Sequence, residues 1–86
     1  MNDHHYQLFL RELVGIFINK TKDESIYEKG NIHAAGYRIA LYSVLHTIEN
    51  EAIAWDLSSS DIGLNDFNSD AWLLEGPDYW KKQGLP

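Results

Sequence analysis

The chain has 86 residues, a formal net charge of −6 and no cysteine. This length corresponds to one small domain, which we expect to span residues 1–86, and the lack of thiols excludes disulfides, thiolate catalysis and a zinc ribbon. No segment is basic, which argues against nucleic-acid binding because phosphate backbones are bound through clustered Lys and Arg side chains.

Targeting signals are not apparent at the start of the chain. Residues 1–5 lack the basic and apolar regions of a signal peptide, and no apolar run approaches the roughly 18 residues that a transmembrane helix needs. The lack of cysteine fits a reducing compartment. The sequence therefore predicts a cytoplasmic protein with no membrane contact.

The first predicted helix covers residues 3–21, with Asn2 or Asp3 as its N-cap. On a helical wheel its apolar side chains share one broad face, which comprises Tyr6, Phe9, Leu10, Leu13, Val14, Ile16 and Phe17. This pattern predicts an amphipathic helix with one core-facing side. The polar stretch 20–28 is either the frayed end of this helix or a loop, and Lys29 and Gly30 read as a stop signal.

The second predicted helix covers residues 31–57, with Asn31 as its N-cap. One face carries Ala34, Tyr37, Leu41, Val44, Leu45, Ile48, Ala52 and Trp55, which we expect in the core. A second face carries Ala35, Ile39, Tyr42, His46, Ile53 and Leu57. The charged residues in this helix are Arg38, Glu49, Glu51 and Asp56, too few for a solvated surface helix.

A helix of this composition needs neighbours on more than one side. At 1.5 Å per residue it is roughly 40 Å long and matches the first helix folded back as an antiparallel hairpin. Two such hairpins would form a four-helix bundle, so we predict an all-α homodimer whose interface is the second face. In the alternative, the C-terminal third covers that face and the chain closes as a monomer.

Short helical turns are predicted after residue 57. A serine among residues 58–60 caps a turn that stops at Gly63, and Asn68 or Ser69 caps a second that ends at Gly76. Pro77 suits the start of a last turn, stopped by Gly84. The large apolar side chains here should dock on the helices; they are Leu64, Phe67, Trp72, Leu74, Tyr79 and Trp80.

Two patterns with the residue types of a metal site fail on inspection. Asp66, Asn68 and Asp70 reproduce the opening of a calcium loop, but Ala71 replaces the required glycine and Pro77 the bidentate glutamate. His4 and His5 are adjacent on a helix and therefore point about 100° apart. We expect no metal site, no cofactor and no catalytic residue.

His46 lies three residues before Glu49, so the two side chains can meet on a helix surface. A histidine beside a carboxylate is the minimum for acid–base chemistry, but no nucleophile or oxyanion hole accompanies it. A hydrogen-bonded interface histidine is the preferred interpretation. The rival hypothesis is a small-ligand or metal-binding bundle centred on His46, Glu49 and Tyr42.

Tyr79 and Trp80 precede two lysines near the C-terminus. Because Tyr and Trp are enriched in binding hot spots, this pair is a candidate contact for another protein. The simpler alternative is that both rings pin the C-terminus to the helices.

Taken together, these features predict a non-enzymatic acidic homodimer that acts through protein–protein contacts. In size and charge the chain resembles bacteriocin immunity proteins and small regulatory adaptors. No motif supports either resemblance, so it remains an analogy.

Overall fold

The computed structural model describes residues 3–84, whose regular elements are all helical and which contain no strand. Its α-helices are α1 (Asp3–Lys20), α2 (Ile32–Ala54), α3 (Ser69–Glu75) and α4 (Asp78–Lys82). Short 3₁₀ turns, Glu24–Tyr27 and Ser60–Ile62, precede α2 and α3. The predicted all-helical class is confirmed. No helix within residues 3–84 is both long and apolar enough to cross a membrane.

Helix α1 ends one residue before the predicted bound. The backbone N–H of Thr21 bonds back to the Ile18 carbonyl, and the chain then turns into the first 3₁₀ turn. The carboxylate of Asp23 caps that turn by accepting from the Ser25 N–H, a bond that lowers the pKa of Asp23. The predicted N-cap of α1 involves Asn2, which lies outside the described residues.

Helix α2 begins as predicted and ends earlier than predicted. The side chain of Asn31 accepts from the backbone N–H groups of His33 and Ala34, at 2.9 and 3.1 Å. At the other end Asp56 adopts a left-handed conformation, with φ of 56°, and the Leu57 N–H bonds to the Ala52 carbonyl. This 6→1 bond is the signature of a Schellman motif and terminates the helix before residue 57.

The C-terminal segment has the predicted helix stops, but the predicted serine cap is not formed, because Ser59 makes no side-chain capping bond to the second 3₁₀ turn. Gly63 is left-handed at the end of the second 3₁₀ turn, and a Cβ there would lie 2.9 Å from the Arg11 carbonyl oxygen. Asn68 caps α3 by accepting from the Ala71 N–H at 3.0 Å. Gly76 closes α3, and Pro77 leads directly into α4.

Two clusters of buried side chains form the core. The first contains Val14, Ala52, Ile62 and Leu64, and the second contains Ile26, Leu41, Trp72 and Tyr79. Each cluster joins the C-terminal segment to the earlier helices, so this segment docks on them as expected. Its exception is Leu74, which is 89% exposed.

Much of the predicted core is exposed. On α2 the expected core residues Tyr37, Val44 and Trp55 are exposed, as are four from the apolar face of α1, namely Tyr6, Phe9, Leu13 and Ile16. Within one chain these helices contact each other, the first 3₁₀ turn and the C-terminal segment, and these neighbours are too few to cover all the apolar surface.

Candidate functional site

Each long helix carries a row of exposed apolar side chains on one face, while Leu8, Ile32, Ile39 and Ile53 are exposed outside these rows. On α1 the row consists of Tyr6, Phe9, Leu13 and Ile16, spaced three or four residues apart, so it occupies a single face. Phe9 is 66% exposed. On α2 the row consists of Tyr37, Val44 and Trp55, and Trp55 is 73% exposed. We call these two rows together the open face.

Contacts with neighbouring side chains define the edges of the open face. The indole Nε1 of Trp55 donates to the Glu51 carboxylate at 3.2 Å, which holds the ring along the helix surface. Leu10 and Phe17 adjoin the α1 row but pack inward against the core clusters. The exposed side chains therefore border the core and are continuous with it.

The side chains predicted to form the dimer interface lie in three different environments. Ile39, Ile53 and Leu57 are exposed, and Ala35 is half-buried beside Tyr27 and Arg38. Tyr42 and His46 instead contact α3 of the same chain. The structure thus does not bring these six residues together as one free surface.

A polar junction joins α2 to α3. The Glu49 carboxylate accepts from both the backbone N–H of Ser69, at 2.9 Å, and the Ser69 hydroxyl. The His46 Nδ1 lies 3.3 Å from that hydroxyl oxygen. Tyr42 donates to the Asp70 carboxylate at 2.7 Å, and this bond raises the pKa of Tyr42. The junction therefore holds the start of α3 against α2.

The junction contains a serine, a histidine and carboxylates, the residue types of a catalytic triad. However, Ser69 is 0% exposed, and its hydroxyl donates to Glu49. A nucleophilic oxygen must reach a substrate, and this one lies beneath the helix contact. The sequence indicated Ser69 only as a candidate helix cap; its contact with Glu49 was not predicted, because Glu49 lies twenty residues earlier and no local pattern connects the two.

The residues of the rival ligand hypothesis meet in this junction. The rings of Tyr42 and His46 stack with centroids 5.1 Å apart, and the His46 Nδ1 lies 3.7 Å from Glu49 and 3.8 Å from Asp70. Within the part of the chain that the structure describes, no three His, Asp or Glu side chains are arranged to hold a metal ion. The junction's contacts explain how α3 is positioned.

Tyr79 and Trp80 pack into the molecule. Tyr79 is buried, and its hydroxyl accepts from the Asn68 N–H at 3.1 Å. The indole of half-buried Trp80 donates to the Thr21 hydroxyl at 3.1 Å, and the Lys22 ammonium lies 4.7 Å from its ring centre. These contacts anchor α4, while a role for either residue in binding a partner stays a prediction.

A second aromatic network supports the same region. The Trp72 indole donates to the Tyr27 hydroxyl at 2.7 Å, and Tyr27 donates in turn to the Thr21 carbonyl. Burial raises the pKa of Tyr27. Because Thr21 also accepts from Trp80, hydrogen bonds at the end of α1 hold both α3 and α4 in place.

A groove about 440 Å³ in volume runs between the second half of α2 and the segment that leads into α3. Its walls include the polar junction residues His46, Glu49 and Asp70 together with exposed Ile53 and Leu57.

Comparison with protein families, curated proteins and solved structures found no match to this chain.

Proposed function

We propose that the chain is a non-enzymatic protein that works as a homodimer through protein–protein contacts. The observation that carries this proposal is the open face, because an apolar surface of this kind is stable in water when a partner covers it. The partner that we assign to it is a second copy of the chain.

The proposed arrangement starts from an antiparallel α1–α2 hairpin. Val14 of α1 shares a core cluster with Ala52, whereas Phe17, further along α1, packs against the cluster that contains Leu41. Positions later in α1 therefore pack near positions earlier in α2, which supports an antiparallel arrangement of the two helices.

The C-terminal segment occupies one flank of this hairpin. On α1 it meets the side of Gln7, whose amide donates to the Asp61 carbonyl at 3.2 Å. On α2 it meets the side of Tyr42 and His46. On each helix the buried residues separate the exposed row from the side that meets the C-terminal segment. We therefore place both rows on the flank of the hairpin opposite that segment, where they would form one continuous surface.

The area of this surface is comparable with one side of a dimer interface. From the exposed fractions of its seven side chains and the 150–250 Å² that a large side chain can bury, the open face presents roughly 550–900 Å². A standard-size interface buries about 800 Å² per partner, whereas the largest apolar patch of a typical monomer is about 300–600 Å². Two hairpins joined here by a two-fold axis would make a four-helix bundle.

The solution mass, measured by light scattering on a sizing column over a concentration series, tests this proposal. We expect twice the chain mass of 9.9 kDa. Phe9→Asp places a charge in the open face and should convert the dimer to a monomer, because burying an unpaired charge is costly.

Leu74→Asp is the matched control, since Leu74 is also exposed but lies on α3. It should leave the dimer intact. A mass of 9.9 kDa for the unmodified chain throughout the micromolar range would overturn the dimer. Dissociation of both variants alike would show that the open face is not the interface.

A further inference from the structure

The groove beside α2 combines an apolar floor with an acidic rim. Ala52, Leu64 and Phe67 line its interior, and Ile53, which is 78% exposed, forms part of its edge with Leu57. This side of α2 faces the C-terminal segment, whereas the open face lies on the opposite flank. The groove would therefore stay accessible in the proposed dimer.

Apart from His46, whose Nδ1 lies 3.8 Å from Asp70, the ionisable side chains along the groove are acidic. Glu49, Asp66 and Asp70 line it, and no Lys or Arg does. Glu49 is already bonded to Ser69, and Asp70 accepts from Tyr42. Asp66 makes no hydrogen bond or ion pair with the residues that the structure describes. One rim carboxylate is thus free for a partner, and a second keeps unused acceptor positions.

We propose that this groove binds a lysine- or arginine-rich segment of another protein, with an apolar side chain of that segment between Ile53, Leu57 and Phe67. The apolar contact supplies the anchor, and the basic groups pair with Asp66 and Asp70. This inference specifies the class of partner for the protein–protein contacts proposed above, and it does not depend on the dimer.

A second copy of the chain fits this groove poorly. The chain has 7 Lys and Arg against 13 Asp and Glu, so a second copy offers few basic groups to an acidic rim. Its adjacent lysines, Lys81 and Lys82, already lie beside Asp78 and Glu75 of their own chain. A basic segment from a different protein meets neither obstacle.

The test uses a short fluorescein-labelled peptide in which Leu recurs every third or fourth position among lysines. Anisotropy gives its dissociation constant, and amide chemical shifts of the labelled full chain show where it binds. We expect the shifts to concentrate at Ile53, Leu57, Asp66 and Phe67. Shifts concentrated on the open face, or spread over all acidic side chains, would overturn the proposal.

Paired variants separate the groove from general charge attraction. The double variant Asp66→Asn with Asp70→Asn should weaken binding about fivefold at low salt, because it removes two rim charges and keeps the acceptor for Tyr42. Glu12→Gln with Glu24→Gln removes the same charge elsewhere and should change binding less than about twofold. Equal effects of the two double variants would contradict a specific acidic rim.

A second pair of variants tests the apolar contact. Ile53→Ser should weaken binding about tenfold, whereas Ile39→Ser, on the same helix but outside the groove, should leave it unchanged. A peptide with glutamate in place of lysine should not bind, and its binding would refute the charge argument. Light scattering of the peptide-free chain reports the dimer separately, so either proposal can fail while the other holds.

Discussion

Asp56 and Asn65 adopt a left-handed backbone conformation that is usual for glycine. Their φ angles are 56° and 53°. A side chain in this region crowds the backbone and costs roughly 1–2 kcal/mol relative to a right-handed conformation, although Asp and Asn tolerate it best. Asp56 is also a negative charge at the carboxyl end of α2, where the helix dipole disfavours it.

Asp56→Gly should therefore stabilise the protein. Glycine adopts positive φ without crowding, and we expect the free energy of unfolding to rise by about 0.5–1 kcal/mol in urea titration at a fixed protein concentration. Asp56→Asn separates the charge from the backbone effect and should give a smaller gain. Ala54→Gly introduces the same residue within the helix and should lower the free energy of unfolding. Equal losses at positions 54 and 56 would contradict the left-handed cap.

The helices themselves owe their positions to contacts between elements. The short helix α3 has seven residues, and an isolated helix of this length is unstable in water. It is held by the burial of Trp72 and by the bonds from Ser69 to Glu49 on α2. The same junction forms one wall of the proposed groove, so its stability and the groove's shape depend on the same side chains.

Ser69→Ala should destabilise this element contact. The Glu49 carboxylate is mostly buried and would lose the hydroxyl donor, which we expect to lower the free energy of unfolding by about 2 kcal/mol. Ser43→Ala is the control, because Ser43 is exposed on α2 and its side chain makes no hydrogen bond with any residue in the range 3–84. Urea unfolding of the two variants makes the comparison. A Ser69→Ala protein as stable as the unmodified chain would show that the junction contributes little.

For the molecule as a whole, the balance between covered and uncovered apolar surface is the main feature. A chain of this size buries only about 60–65% of the surface that its unfolded form exposes, and here the long helices keep the open face uncovered. Self-association would remove that face from water and link folding to assembly.

The melting temperature should consequently rise with protein concentration. Mass action favours the dimer as concentration increases, so unfolding, which separates the chains, becomes less favourable. Differential scanning calorimetry over a hundredfold concentration range measures the shift. Phe9→Asp, as a monomer, should show no such dependence. A concentration-independent melting temperature for the unmodified chain would argue against the dimer.

Local patterns were enough to predict the helical class, the Asn31 cap, a cap at Asn68 or Ser69, and the glycine stops at Gly63 and Gly76, because caps and stops depend on neighbouring residues. The hairpin and the dimer remain proposals. Which apolar side chains are buried, where α2 ends, and the contact of Ser69 with Glu49 could not be read from local patterns. These features depend on residues far apart along the chain, and helical periodicity assigns side chains to a face without specifying what covers that face.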